Sequence, residues 1–253
     1  MADSAWIPAA APALSVARSV PRHTALVRIT HWITAVCFLA LLITGIEILL
    51  SHPRFYWGET GNILTTPLFK LPVPSSRHSV PTGYGYVLPD QNGWSRHLHF
   101  QAAWIAVFTG LLYVISGLLN GHFRKNLVPE RAAFSWRALS HVIASHLRLR
   151  PAIAAEASSY NLLQRFTYLS VIFILFPLVI WTGLAMSPAI ASAFPPAVSV
   201  LGGQQSARTI HFFVSVALFL FFLVHVLIVC IAGFRSRMRA MITGHASNNE
   251  ESI

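Results

Sequence analysis

Four apolar stretches, at residues 32–50, 100–119, 166–186 and 212–234, dictate what this chain folds into, because each is long enough to cross a bilayer as a helix. A segment inside hydrocarbon must satisfy its own backbone N–H and C=O groups. Four such segments therefore predict an all-α fold, an integral membrane four-helix bundle. The charge content agrees, at 10% against about 25% in a typical soluble domain. The expected layout is a flexible N-terminal tail at 1–27, a transmembrane domain at 28–240 and a C-terminal tail at 241–253. The first 25 residues are rich in Ala and Pro and lack a continuous apolar core, so no cleaved signal peptide is expected.

Charge placement sets the expected orientation. Thirteen of the eighteen Lys and Arg fall before residue 32, between 120 and 165, or after 234. Arg54, Lys70, Arg77, Arg96 and Arg208 make up the rest. The positive-inside rule puts the richer side, with both termini, in the cytoplasm. A net charge of +10 is thus accounted for by topology and by anionic membrane lipid, with no nucleic acid called for.

The connections differ in character. The inner loop at 123–164 contains one extra amphipathic surface helix at about 135–149, with Trp136, Leu139, Val142, Ile143 and Leu147 on one side. Its Arg137, His141, His146 and Arg148 are read as facing lipid headgroups. The outer loop at 51–95 is rich in Pro, Gly and aromatics. It suits a docking surface or lid and equally an interfacial anchor. Pro177 should kink the third span unless its neighbours compensate.

Histidines carry the chemistry. His225 interrupts the fourth apolar run, and an ionisable side chain at that depth is costly enough to mark a functional site. His211 lies fourteen residues earlier. At ~100° per residue the two fall about 40° short of four whole turns, so they share a face, roughly 21 Å apart along the axis. Three spans open on Arg-x-x-His-aromatic: Arg28 to His31 and Trp32, Arg96 to His99 and Phe100, Arg208 to His211 and Phe212. The third span has Arg165 and Tyr168 instead. Residues three apart share a helix face, so each Arg can snorkel toward the interface beside its His. Arg28, Arg96 and Arg208 would there meet the propionates of a haem held by that His.

Alternating topology sorts these residues by depth into two pairs, His31 with His225 and His99 with His211. Each pair suits a six-coordinate, bis-histidine iron, which leaves no open position and favours electron transfer over oxygen chemistry. His97 is the alternative outer ligand; His99 is preferred for its motif. His52, His78 and His122 read as loop or interfacial residues. Glu47, the carboxylate inside a span, reads as an interfacial group, with proton transfer as its other use. Cys37 and Cys230 read as small buried hydrophobes, and no CxxCH supports covalent haem.

On these residues the chain resembles the bacterial di-haem cytochrome b561 family. That group includes the cytochrome b subunits of nickel–iron hydrogenases, the formate dehydrogenase gamma subunit and thiosulfate-reductase-type anchors. The fourteen-residue His211–His225 spacing is the most specific match, and TGIEILLSHP at 44–53 and YNLLQR at 160–165 are also similar to family segments. The resemblance covers about 25–240. It implies two b-type haems, quinone as an exchangeable substrate, and a separately encoded redox subunit of molybdopterin oxidoreductase or hydrogenase type. It also implies a multi-pass protein of the bacterial inner membrane. The chain is therefore expected to be an electron-transfer subunit between that partner and the quinone pool. The alternatives are a stand-alone quinone or superoxide–quinone oxidoreductase and, in another class, a His/Glu-based transporter.

Overall fold

The computed structural model describes residues 23–62, 64–73, 91–123, 162–231 and 233–245. The expected surface helix at 135–149, with His141 and His146, lies outside the described residues, as does His78. Within them, four helices are long and apolar enough to cross a membrane. Helix α1 spans Ala25–Ser51 and α2 spans Gln91–Leu119. The third crossing is composite: α3 (Leu162–Ser170), a π-helical turn (Val171–Leu175) and α4 (Phe176–Ala185). Two short helices, α5 (Pro188–Ala193) and α6 (Pro196–Ser199), lead to α7 (Gln204–Ile231) and a final α8 (Phe234–Thr243).

The helices begin before their apolar runs. Thr24 caps α1 by accepting from the Val27 N–H at 3.4 Å, so α1 starts seven residues ahead of Trp32. It stops at Ser51 because His52 precedes Pro53, and a residue before proline is pushed out of the helical region. Pro177 has a local solution. The π turn lies directly ahead of it, where the proline ring would otherwise strike the carbonyl of Phe173.

Little of each span is covered by the chain itself. Only 11–17% of each most apolar window is buried, and Val36, Phe108, Ile174 and Leu227 stay exposed. Such a surface is stable against lipid tails and a liability in water. The packed centre is Val171, Val214 and Leu218, joined by Phe38, Val179 and Phe221. Three buried hydroxyls are tied to their own helices. Thr30, Thr44 and Thr182 each donate to a carbonyl four residues back, at 2.8, 2.7 and 2.8 Å.

The two ends of the bundle differ. At one, termed the loop end, β1 (Arg54–Phe55) pairs antiparallel with β2 (Phe69–Lys70). Phe55 stacks on Phe69 at 4.7 Å and meets Phe212 of α7 at 4.6 Å. At the other, the tail end, α8 docks on α1. Arg28 Nη1 donates to the Ile242 carbonyl at 2.6 Å, and Trp32 Nε1 to that of Met241 at 3.2 Å.

Candidate functional site

The fold brings together the histidines that depth alone had paired. His31 of α1 faces His225 of α7 at the tail end, ring centres 6.3 Å apart. His99 of α2 faces His211 of α7 at the loop end, 6.4 Å apart. An imidazole nitrogen bonds a metal at about 2 Å and sits roughly 1.2 Å from its own ring centre, so two trans imidazoles on one iron put their centres about 6.4 Å apart. Both pairs therefore stand at a separation at which two imidazoles could hold one iron between them. Among the described residues no three His, Cys, Asp or Glu side chains form a metal-binding group. A bare ion would find two ligands at each pair; a haem brings four in-plane nitrogens of its own and needs only those two.

The loop-end pair is held by neighbouring helices. Thr44 of α1 spends its hydroxyl proton on the Ala40 carbonyl at 2.7 Å, so its Oγ1 accepts from His99 Nδ1–H at 2.9 Å. Thr182 of α4 likewise donates to Leu178 at 2.8 Å and accepts from His211 Nδ1–H at 3.0 Å. The Val179 carbonyl, 3.1 Å from the same nitrogen, can only accept, which fixes the proton on Nδ1. In both rings Nε2 is then the lone-pair nitrogen free for a metal. Each threonine is followed by a glycine that lies against the ring at ordinary contact distance. A Cβ on Gly45 would lie 3.7 Å from His99 Cε1, and one on Gly183 would lie 3.4 Å from His211 Cε1.

The tail-end pair is held by rings. Phe221 stacks on His225 at 5.8 Å and Trp32 stands edge-on to His31 at 5.4 Å. Tyr168, which occupies the histidine position of the third motif, packs edge-on against Phe221 at 6.1 Å. His31 Nδ1 is buried without a hydrogen-bond partner.

Other candidates fall elsewhere. His97 Nε2 is 2.8 Å from Gln101 Nε2, on an exposed part of α2, and is not brought to His211. His122 lies among Tyr113 and Phe123, at 6.4 and 5.9 Å. Glu47 is half-buried, and its carbonyl accepts from Ser51 Oγ at 3.3 Å. Cys37 is buried and Cys230 exposed. Arg208 donates to the carbonyls of Arg54, at 3.0 Å, and His52, and lies 5.0 Å over the Phe55 ring. Those two bonds leave N–H groups for another acceptor. Arg28 Nε is buried and unpaired beside the Arg28–Ile242 contact. Arg96 lies near enough to Arg208 for their charges to interact.

Sequence reasoning missed two features of this site. One is the pair of Thr-Gly dipeptides at 44–45 and 182–183, which the sequence does not single out, because Thr109-Gly110 repeats the dipeptide in a third span. The other is a strap, residues 52–59, bound over the start of α7. Gln205 N and Ser206 N donate to the Gly58 carbonyl at 3.0 and 3.2 Å, and Thr209 Oγ1 to that of Tyr56 at 2.7 Å.

Known proteins resemble this chain in sequence. The sequence model of a family described as prokaryotic cytochrome b561 matches residues 22–244. A putative protein-methionine-sulfoxide reductase subunit YedZ1 of Azospira oryzae is 28% identical over 228 residues, 88% of this chain and 96% of that protein. No solved structure gives a significant match.

Proposed function

Because the chain belongs to the prokaryotic cytochrome b561 family, and so is a bacterial multi-pass membrane protein that binds b-type haem and transfers electrons, we propose that it carries two such haems and links a partner subunit to quinone. The observation that supports this most directly is the two histidine pairs, at 6.3 and 6.4 Å, at opposite ends of one bundle. Bound there, each haem would supply a one-electron iron couple, with no coordination position left open. His31 and His225 would hold one iron, His99 and His211 the other. The remaining N–H groups of Arg208, with Arg96 beside it, receive carboxylates at the loop end, and Arg28 Nε does so at the tail end. Lipid-covered spans keep water from both sites.

Quinone is the lipid-soluble partner. A separately encoded redox subunit, of molybdopterin oxidoreductase or hydrogenase type, is the other. The relative's name as a reductase subunit supports that division of labour. The cationic tail end faces the cytoplasm, with Arg28, Arg235, Arg237 and Arg239 beside it, and the loop end with its strap faces out.

The test is a pyridine haemochrome assay with a reduced-minus-oxidised spectrum on the purified protein. About two b haems per chain are expected. None, in folded protein from haem-replete cells, sinks the proposal and promotes a histidine-based transporter. The same assay on His97→Ala should match the unaltered chain; loss of one haem there moves the loop-end ligand from His99 to His97.

A further inference from the structure

The two histidine pairs are chemically unequal beyond their first ligands. At the loop end both Nδ1–H groups are hydrogen-bonded, His99 to Thr44 and His211 to Thr182 and the Val179 carbonyl. At the tail end His31 Nδ1 is buried with no acceptor among the described residues. Neither threonine can act as a donor to its histidine, since each hydroxyl proton is already directed at a carbonyl of its own helix. The polarity of both contacts is therefore fixed: imidazole gives, hydroxyl receives.

We propose that Thr44 and Thr182 are positioning residues that tune the loop-end centre, pulling electron density onto His99 and His211 and holding that centre's potential below the value the same ligands would give alone. The physical basis is ligand basicity. An acceptor on Nδ1–H draws the ring toward imidazolate, which makes Nε2 a better donor and favours ferric over ferrous iron. In hydrocarbon the effect is not diluted by competing water. The tail-end pair has the Phe221 and Trp32 rings beside it and, at His31, no such acceptor. Two bundle ends thus built give one chain two centres of different potential from the same ligand set.

This inference rests on the two-haem reading, and its test separates the two. Thr44→Val and Thr182→Val, the double variant, and Thr44→Ser and Thr182→Ser as hydroxyl-keeping controls are titrated spectroelectrochemically. Haem content and low-spin EPR signals are recorded on the same samples. Unaltered protein showing two haems and two redox waves upholds the reading; fewer than two haems there overturns the reading itself.

Given two haems, the valine variants should keep both and shift one and the same wave upward, Thr44→Val by about three- to tenfold in the reduction equilibrium and Thr182→Val by less, because the Val179 carbonyl still accepts from His211 Nδ1–H. Tenfold is ~59 mV for a one-electron couple. The double variant should shift that wave further, the other wave should stay, and the serine controls should overlay the unaltered chain. Where valine is not tolerated, alanine removes the hydroxyl with less bulk, and the same upward shift is required of it. Waves that stay in place in the valine or alanine chains, or two waves that move together, overturn the inference.

Discussion

A chain with His225 replaced by alanine is expected to keep one b haem of two, with the loop-end centre still low-spin and reducible. The expectation follows from how the tail-end pair is built. His225 stands 6.3 Å from His31, and the ring stacked on it, Phe221, has no atom able to bind iron. Removing the imidazole leaves His31 as the sole ligand on that side of α1. Losing a mere hydrogen-bond partner of a metal ligand typically costs about 10–100-fold in metal affinity, and losing the ligand itself costs more. The loop-end pair shares α7 with this site and α1 through Thr44, but its own imidazoles and their braces, Thr44 and Thr182, are untouched by the change.

His211→Ala should do the converse, sparing the tail-end centre and losing the one under the strap. Haem per chain and the redox waves are the readouts. In both variants haem should fall to about one per chain, with a different wave missing from each. Two low-spin, reducible haems in His225→Ala would sink the pairing of His31 with His225.

Much of this site was legible because membranes make certain residues conspicuous. His225 stands out in a run of Phe, Leu and Val since burying a charge there is expensive without a purpose. Helical periodicity then converts His211 and His225 into two depths, and alternating spans match them to His99 and His31. What could not be read is tertiary. Thr44 and Thr182 look like ordinary helix threonines until His99 and His211, 55 and 29 residues away, are laid against them. Arg208 reads as a partner for haem propionates, and nothing in the sequence shows that it also donates to carbonyls 154 and 156 residues earlier. Pro177 announces a disturbance but not its form, a π turn just ahead of it. Helix starts escaped because polar residues separate them from the apolar runs used to find the spans, Arg28, Thr30 and His31 in α1 and Gln204, Gln205, Ser206 and Arg208 in α7. Thr24 and Gln204 mark those starts through capping and strap contacts.

Gly203→Ala should weaken the loop end more than the same added methyl does at Gly202 or Gly110. Gly203 has φ +111°, where a side chain is strained by about 1–3 kcal/mol regardless of space. Space is lacking as well. A Cβ there would lie 2.5 Å from the carbonyl carbon and oxygen of Gly58 and 2.6 Å from Glu59 N. These are backbone atoms, so relief requires the strap to lift. Lifting it strains the bonds it makes to the start of α7: Gln205 N and Ser206 N to the Gly58 carbonyl, Gly58 N to Ser206 Oγ at 2.7 Å, and Gln204 N to Glu59 Oε2 at 3.2 Å. Each is worth about 1 kcal/mol net.

Arg208 and Phe212 hang from the same strap and flank His211, so the loop-end haem should be lost first on heating while the tail-end haem persists. The two other glycines calibrate the result. Gly202→Ala, at φ +81° with Ser206 Oγ 3.4 Å from the added carbon, should cost less. Gly110→Ala, in open space within α2, should be neutral or gain about 0.5–1 kcal/mol from helix propensity. Thermal melts followed in the haem absorbance and by circular dichroism give the order. If Gly203→Ala melts with Gly110→Ala, the strap does not hold the loop end together and its contacts with α7 are incidental to the site beneath.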